Sequence, residues 1–170
     1  MILEEKAHLV MMIPPTTNSG DLLLSRNVDV SKYHDLDILT CMGIMTAACG
    51  ISVQKLISTT ASSSQGVPIS DYVYRYTAAP STEPTSATTG GDTWGVATAG
   101  GTSGTSIAAA SSDRMMLMSV NCDAFAAGYK ACRVSILNDA TGNDYVVVGI
   151  LSNPRYASDF QESVLSSSYN

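Results

Sequence analysis

The strongest strand signal in the chain is Tyr129-Lys130-Ala131-Cys132-Arg133-Val134-Ser135-Ile136-Leu137. Polar and apolar residues alternate along it, so the apolar residues at positions 132, 134 and 136 share one face, as in a half-buried β-strand. The turn-forming segment Asn138–Asp144 follows, and after it comes a second apolar run, Tyr145–Leu151. This order predicts a β-hairpin.

Further strand-forming segments lie upstream of this pair. They are Leu22–Leu24, Val28–Val30, Ile38–Ile44, Ile51–Ile57, Tyr72–Tyr76 and Arg114–Asn121. Because no helical pattern of ten or more residues alternates with them, we expect an all-β fold, an antiparallel β-sandwich or a jelly-roll-like barrel. The stretch 59–112 is rich in Ser, Thr, Gly and Ala, and it predicts long ordered loops around the Tyr72–Tyr76 strand.

The N-terminal residues have two interpretations. The apolar run Leu9-Val10-Met11-Met12-Ile13 precedes Pro14-Pro15, and consecutive prolines stop a regular element and leave an extended strut. We therefore predict an N-terminal extended arm over residues 1–20, a β-sandwich domain over 21–157 and a C-terminal tail over 158–170. The alternative is that the apolar run is the first strand of the sandwich's own sheet.

The composition narrows the class of protein. The 170 residues are enough for one domain with its own core, and 45% of them are hydrophobic but only 14% charged, against roughly 25% in typical soluble domains. Such a low charge content suggests a subunit covered by neighbours. The net charge of -6 argues against nucleic acid as a partner, because phosphate binding needs clustered Lys and Arg.

The chain has neither the apolar length of a membrane span nor the basic start of a secretory signal. We therefore expect no membrane partner, and synthesis in a cytoplasm. The four cysteines are Cys41, Cys49, Cys122 and Cys132. They form no CxxC pair, which predicts reduced, buried thiols and no metal site.

The sequence also predicts no enzyme and no cofactor. A hydrolytic triad needs a histidine base, and the two histidines are His8 and His34, the second of which is interpreted as a loop residue before a strand. The segment Asn138–Asp144 lacks the ligand spacing of a calcium loop and is better interpreted as a turn. No catalytic, cofactor-binding or metal-binding residue is proposed.

Aromatic and apolar residues supply the candidate protein interface. Tyr72, Tyr74 and Tyr76 repeat on one face of a strand, where cross-strand packing is the first explanation and a subunit interface the second. The full candidate set is Leu9, Val10, Met11, Met12, Ile13, Tyr72, Tyr74, Tyr76 and Trp94.

Several short signatures accompany these features. They are Gly91-Asp92-Thr93-Trp94-Gly95, Gly128-Tyr129-Lys130 leading into Arg133–Leu137, and Asn153-Pro154-Arg155-Tyr156-Ala157. With the apolar start, the two prolines and a strand after Tyr33, the chain from about Val10 to Ala157 resembles a group of small proteins encoded among the structural genes of tailed bacteriophages.

That resemblance implies a β-sandwich virion protein made in the host cytoplasm. The role it implies is a capsid decoration or cement subunit, a homo-oligomer and specifically a trimer, whose partners are the major capsid protein or other virion subunits. A tail, neck or fibre-attachment subunit would look the same. A carbohydrate-binding module, with the tyrosines and Trp94 as stacking platforms, is a further alternative.

Overall fold

A computed structural model describes residues 7–18, 20, 22–62, 65–70, 72–77, 94–108, 111, 113–138 and 142–155. The strands are β1 (Ala7–Asn18), β2 (Leu22–Leu24), β3 (Val28–Asp29), β4 (Tyr33–Met42), β5 (Cys49–Leu56), β6 (Val67–Pro68), β7 (Tyr72–Tyr76), β8 (Thr98–Ala99), β9 (Thr105–Ile107), β10 (Met115–Asn121), β11 (Ala131–Asn138) and β12 (Asn143–Pro154). A 3-10 turn, Cys122–Ala124, follows β10. The predicted all-β class is confirmed.

The strands form two sheets in which every described pairing is antiparallel. The first sheet has the order β1-β12-β4-β10-β7-β8, and the second has the order β2-β11-β5-β6, with β3 also paired to β11 and β9 to β5. The two sheets do not join into a closed ring within the described ranges. The architecture is therefore the sandwich, not the barrel.

The core lies between the two sheets, where the strands present alternate side chains to each other. Along β4, for example, Leu36 and Ile38 are fully buried. Gly149 on β12 allows β1 to pack closely, because a Cβ atom there would lie 2.8 Å from Cγ2 of Val10 and 3.1 Å from Sδ of Met12. Burial of such apolar side chains is the main stabilising term of the fold.

The predicted hairpin is wrong. Strand β11 belongs to the second sheet and β12 to the first, so the chain crosses between the sheets after Asn138. The side chain of Asn143 fixes the start of β12 by accepting hydrogen bonds from the backbone N–H of Thr46 at 2.7 Å and of Ala47 at 3.2 Å. The alternation of apolar residues is the same whether two consecutive strands pair in one sheet or lie in two facing sheets. The pattern alone therefore could not separate a hairpin from a crossing between sheets.

The N-terminal apolar run lies in β1, which pairs with β12 from Ala7 opposite Ser152 to Asn18 opposite Asn143. Residues 7–18 are thus the first strand of the sandwich's own sheet, and the arm prediction is corrected for them. The strand continues through Pro14-Pro15 with two register shifts, which an edge strand tolerates because its outer N–H groups need no partner. The predicted boundary at 157 and the tail at 158–170 lie outside the described residues.

No helix in the described ranges is long and apolar enough to cross a membrane.

Candidate protein-binding face

The outward-pointing side of the first sheet is apolar at its centre. Strand β12 shows this most clearly: Tyr145, Val147 and Leu151 point into the core, yet the residues between them are also apolar. We define the outer face as Leu9, Met11, Leu39, Cys41, Val73, Met115, Leu117, Val146, Val148 and Ile150. A sheet face in water normally carries polar residues at these alternate positions. This one has the composition of a covered face.

Strand register joins these residues into one surface. Met11 lies opposite Val148, and Val148 lies opposite Leu39. Leu39 in turn lies opposite Leu117, so one apolar row crosses β1, β12, β4 and β10. Side chains paired in this way are about 4.5–5.5 Å apart at Cβ and touch one another.

The outer face is open to solvent in the described structure. Leu9 and Met11 are 52% and 42% exposed, Val73 is 40% exposed, and the remaining seven residues are partly exposed. Large contiguous apolar surfaces are uncommon on proteins that act alone, and they mark sites of interaction.

The outward side of the second sheet is different, because a loop covers the part of it around Arg133. Arg133 points outward from β11 but is only 2% exposed. Its Nε donates to Oε1 of Gln54 at 2.8 Å, and its guanidinium also donates to the carbonyl oxygen of Ser62 at 3.1 Å. The amide of Asn27 binds the same loop through the carbonyl oxygen of Thr59 at 2.8 Å. The loop after β5 therefore serves as a lid on this sheet.

Charged groups surround the apolar centre of the outer face. Asp35 and Asp37 lie outward on β4, opposite Ser152 and Ile150 respectively. Asp144 lies near the other end of β12, where its Oδ1 accepts a hydrogen bond from Thr17 at 2.6 Å. The three carboxylates thus frame the surface at both ends of its strands.

A groove of about 520 Å³ opens at the corner of the outer face beside Asp144. Pro15, Cys41, Gly43 and Val146 are among its lining residues, so it continues the apolar surface through Cys41 and Val146. Its size falls within the range of pockets that hold a ligand group or an anchoring side chain.

The structure divides the predicted interface residues. Val10, Met12, Ile13 and Tyr72 are buried by the protein's own sheets, so these four are core residues and the interface interpretation is corrected for them. The exposed members of the predicted set are Leu9 and Met11 on the outer face and Trp94, which forms an isolated bridge with Thr77.

The tyrosines of β7 connect the two sheets. Tyr74 and Tyr76 pack against the core and contact each other edge to face, with ring centroids 5.7 Å apart. The hydroxyl of Tyr76 donates to the carbonyl oxygen of Ser106 on β9 at 3.5 Å, and burial raises the pKa of Tyr76 to about 12. Packing is therefore their main role, and inward-facing rings do not form a stacking platform for sugars.

Most of the outer face was missed by sequence reasoning, including Leu39, Leu117 and Val148. The available signal was the unbroken apolar run Tyr145–Leu151, which has no polar side to give to water. The run identifies one strand with apolar residues on both faces. The strands that lie beside it depend on register between distant segments of the sequence.

A polar cluster lies at the end of the first sheet. His34 is within β4, not in a loop as predicted, and its Nδ1 lies 2.6 Å from Oδ2 of Asp123. Arg155 forms an ion pair with the other oxygen of that carboxylate at 2.5 Å. These three exposed or partly exposed groups tie the end of β12 to the turn after β10, an arrangement typical of structural contacts.

The four cysteines differ in their exposure to solvent. Cys49, Cys122 and Cys132 are buried, and burial raises the pKa of Cys122 to about 12, whereas Cys41 is partly exposed on the outer face. None of the four cysteines is in a disulfide bond. The described residues contain no group of three or more His, Cys, Asp or Glu side chains that could hold a metal ion.

Comparison with known proteins gives coarse likenesses only. No family model matches the chain, and no curated protein sequence is significantly similar to it. One similar structure is the crystal structure of YomS, a prophage-derived protein of the Bacillus phage SPBc2. Its sequence is 10% identical to this chain, and the two structures match with a TM-score of 0.44 over 85% of this chain and 91% of that one. A structure of the Gt strain of infectious bursal disease virus is also 10% identical, with a TM-score of 0.24, over 95% of this chain and 45% of that one. These values assign no function.

Proposed function

We propose that this chain is a structural subunit of a phage virion, a capsid decoration or cement protein that binds across the boundaries between major capsid subunits. The outer face carries the proposal, because a folded domain that leaves an apolar row from Met11 through Val148 and Leu39 to Leu117 in solvent gains free energy when another protein covers it. The bacteriophage resemblance gives the setting.

The energetics suit a protein present in many copies. Burying one exposed Leu or Met side chain contributes roughly 1.5–3 kcal/mol gross, but association costs translational and rotational freedom and side-chain order. A single subunit therefore binds with moderate affinity. If the subunits form a trimer, as the resemblance implies, three outer faces engage together and the combined binding is much tighter. Adjacent capsid subunits then separate only after these contacts rupture.

A tail, neck or fibre-attachment subunit would use the same face, and location in the particle separates these roles. The test uses the phage that encodes the chain, with the gene deleted and the purified protein added back. For a cement protein we expect density on the head surface in electron microscopy, and release of packaged DNA at a lower temperature when the protein is missing. Density on the tail with unchanged heat stability of the head would contradict the proposal.

A pair of matched variants then tests the surface. Leu39→Lys with Leu117→Lys changes two leucines paired on the outer face, and Leu22→Lys with Leu137→Lys changes two exposed leucines paired on the second sheet. We expect the first variant to stay folded but lose binding to protein-deficient heads at least tenfold, and the second to bind like the wild type. Equal binding by both variants would exclude the outer face as the contact.

A further inference from the structure

We infer that the outer face accepts a different protein whose own surface is apolar at its centre and carries Lys or Arg at its rim, and not a second copy of this chain. The inference deepens the proposed function, because it states what chemistry the partner must present to this face. Its basis is the placement of charge around the apolar rows.

Negative and positive side chains are distributed unevenly around the outer face. Asp35 and Asp37 stand at one end of the β12–β4 pair and Asp144 stands near the other end, so carboxylates bound the apolar centre on both sides. Arg75 on β7 is a cation on this side of the sheet, and it lies opposite Leu117, beyond β10. Over β1, β12 and β4 the centre of the face is therefore apolar, and carboxylates lie at its ends.

Two kinds of protein could cover the outer face, a second copy of this chain or a different protein. A second copy centred on the same strands would bring two sets of these three carboxylates together, on chains that already carry a net charge of -6 each. Like charges facing each other across an interface oppose association and are a common means of rejecting a wrong partner. A partner with Lys or Arg at the rim meets each carboxylate with the opposite charge.

The corner groove joins the apolar surface to Asp144, and its volume of about 520 Å³ is ample for one large apolar side chain. A partner that places an apolar anchor next to a basic residue would fill the groove and pair with Asp144 at once. Anchors of this kind contribute most of the binding energy at protein interfaces.

The test uses two short synthetic peptides as probes, one alternating Leu with Lys and the other alternating Leu with Glu. Nuclear magnetic resonance of the ¹⁵N-labelled protein shows which backbone amides each peptide perturbs. We expect the Leu–Lys peptide to perturb amides of Leu39, Leu117 and Val148, and the Leu–Glu peptide to leave them unchanged. Equal perturbation by both peptides, or perturbation confined to the second sheet, would overturn the inference.

A matched pair of variants separates local from overall charge. Asp37→Asn removes a partly exposed carboxylate at the rim of the outer face, and Asp29→Asn removes a partly exposed one on β3 of the second sheet, with the same change in net charge. We expect Asp37→Asn to weaken binding of the Leu–Lys peptide about two- to fivefold, the size of an exposed ion pair, and Asp29→Asn to have no effect. Equal effects would mean that the peptide responds only to net charge.

Sedimentation of the isolated protein tests the rejected occupant. We expect Leu39→Lys with Leu117→Lys to leave the oligomeric mass of the wild type unchanged, because copies of the chain do not meet through this face. Conversion of an oligomer to monomers by that variant would show that a second copy covers it. If the subunit instead fails to bind heads while the peptide results hold, the proposed function is wrong and this inference stands.

Discussion

The outward sides of the two sheets differ in how their residues are shielded from solvent. On the second sheet a loop covers the outward residue Arg133, which is bonded to Gln54 and to the carbonyl oxygen of Ser62. On the first sheet outward residues such as Leu39 and Val148 are apolar and stay partly exposed. The difference teaches that two outward sides of one sandwich can be treated differently: Arg133 on one side is buried within the fold, whereas the apolar centre of the other side stays partly exposed.

The largest expected effect comes from the two outward arginines. Arg133→Ala should lower the free energy of unfolding by about 2–4 kcal/mol, since it removes two hydrogen bonds donated by a charged group, to Gln54 and Ser62, together with the packing of a side chain that is only 2% exposed. Arg75→Ala, on the open face, should change it by less than about 0.5 kcal/mol. Urea denaturation measures both values. Similar losses in the two variants would break the contrast between the sheets.

The lid on the second sheet makes a separate prediction at Gly66. A Cβ atom there would overlap the bonded side chains of Gln54 and Arg133, whereas a Cβ at Gly101 would meet nothing within 4 Å. We expect Gly66→Ala to cost about 1–2 kcal/mol, because the ends of Gln54 and Arg133 must shift and their hydrogen bond is weakened, and Gly101→Ala to be neutral within a few tenths. Thermal melts of both variants provide the measurement. A neutral Gly66→Ala would mean that the loop is not held against the sheet.

The open face should be visible to a hydrophobic dye. Replacing Leu39 and Leu117 with Ser should reduce the fluorescence of bound anilinonaphthalene sulfonate by about half, because this pair lies at the centre of the apolar surface. Replacing the paired Leu22 and Leu137 of the second sheet should change it little, although both are individually exposed. Equal reductions would show that isolated exposed leucines account for dye binding.

The smallest effect is a chemical one that leaves stability unchanged. A thiol reagent at pH 8 should modify Cys41 slowly in the folded protein and leave Cys49, Cys122 and Cys132 unmodified until unfolding. Burial raises the pKa of the Cys41 thiol, which explains the slow rate, and the buried thiols have no access to reagent. Mass spectrometry with Cys41→Ser as the control identifies the site. Fast labelling of Cys122 would contradict the packing of the core.

Local pattern predicted the strands well. The alternation at 129–137 and the apolar run Tyr145–Leu151 each correspond to a strand, and the tyrosine repeat at 72–76 corresponds to β7. Alternation depends on neighbouring residues only, so one sequence is enough to find it. The same local signal says nothing about which distant strand lies alongside.

The wrong predictions concern strand pairing and the direction in which side chains point, which local sequence does not give. Pro14-Pro15 stopped the predicted strand because prolines cannot serve a central ladder, but β1 is at an edge, where they are tolerated. The tyrosines of β7, for which cross-strand packing was the first interpretation, were also included among the interface candidates, because alternation does not say which face points inward. The outer face depends on register across β1, β12, β4 and β10, which links residues more than 100 positions apart in sequence.

The irregular course of β1 has a consequence for how the protein behaves at high concentration. An edge strand with exposed Leu9 and Met11 invites another molecule to extend the sheet, and repeated extension of that kind produces fibrils. Pro14 and Pro15 have no N–H to donate, and the register shifts around them bend the ladder out of line. Growth along this edge is therefore interrupted after a few residues, which opposes the conversion of concentrated protein to fibrils.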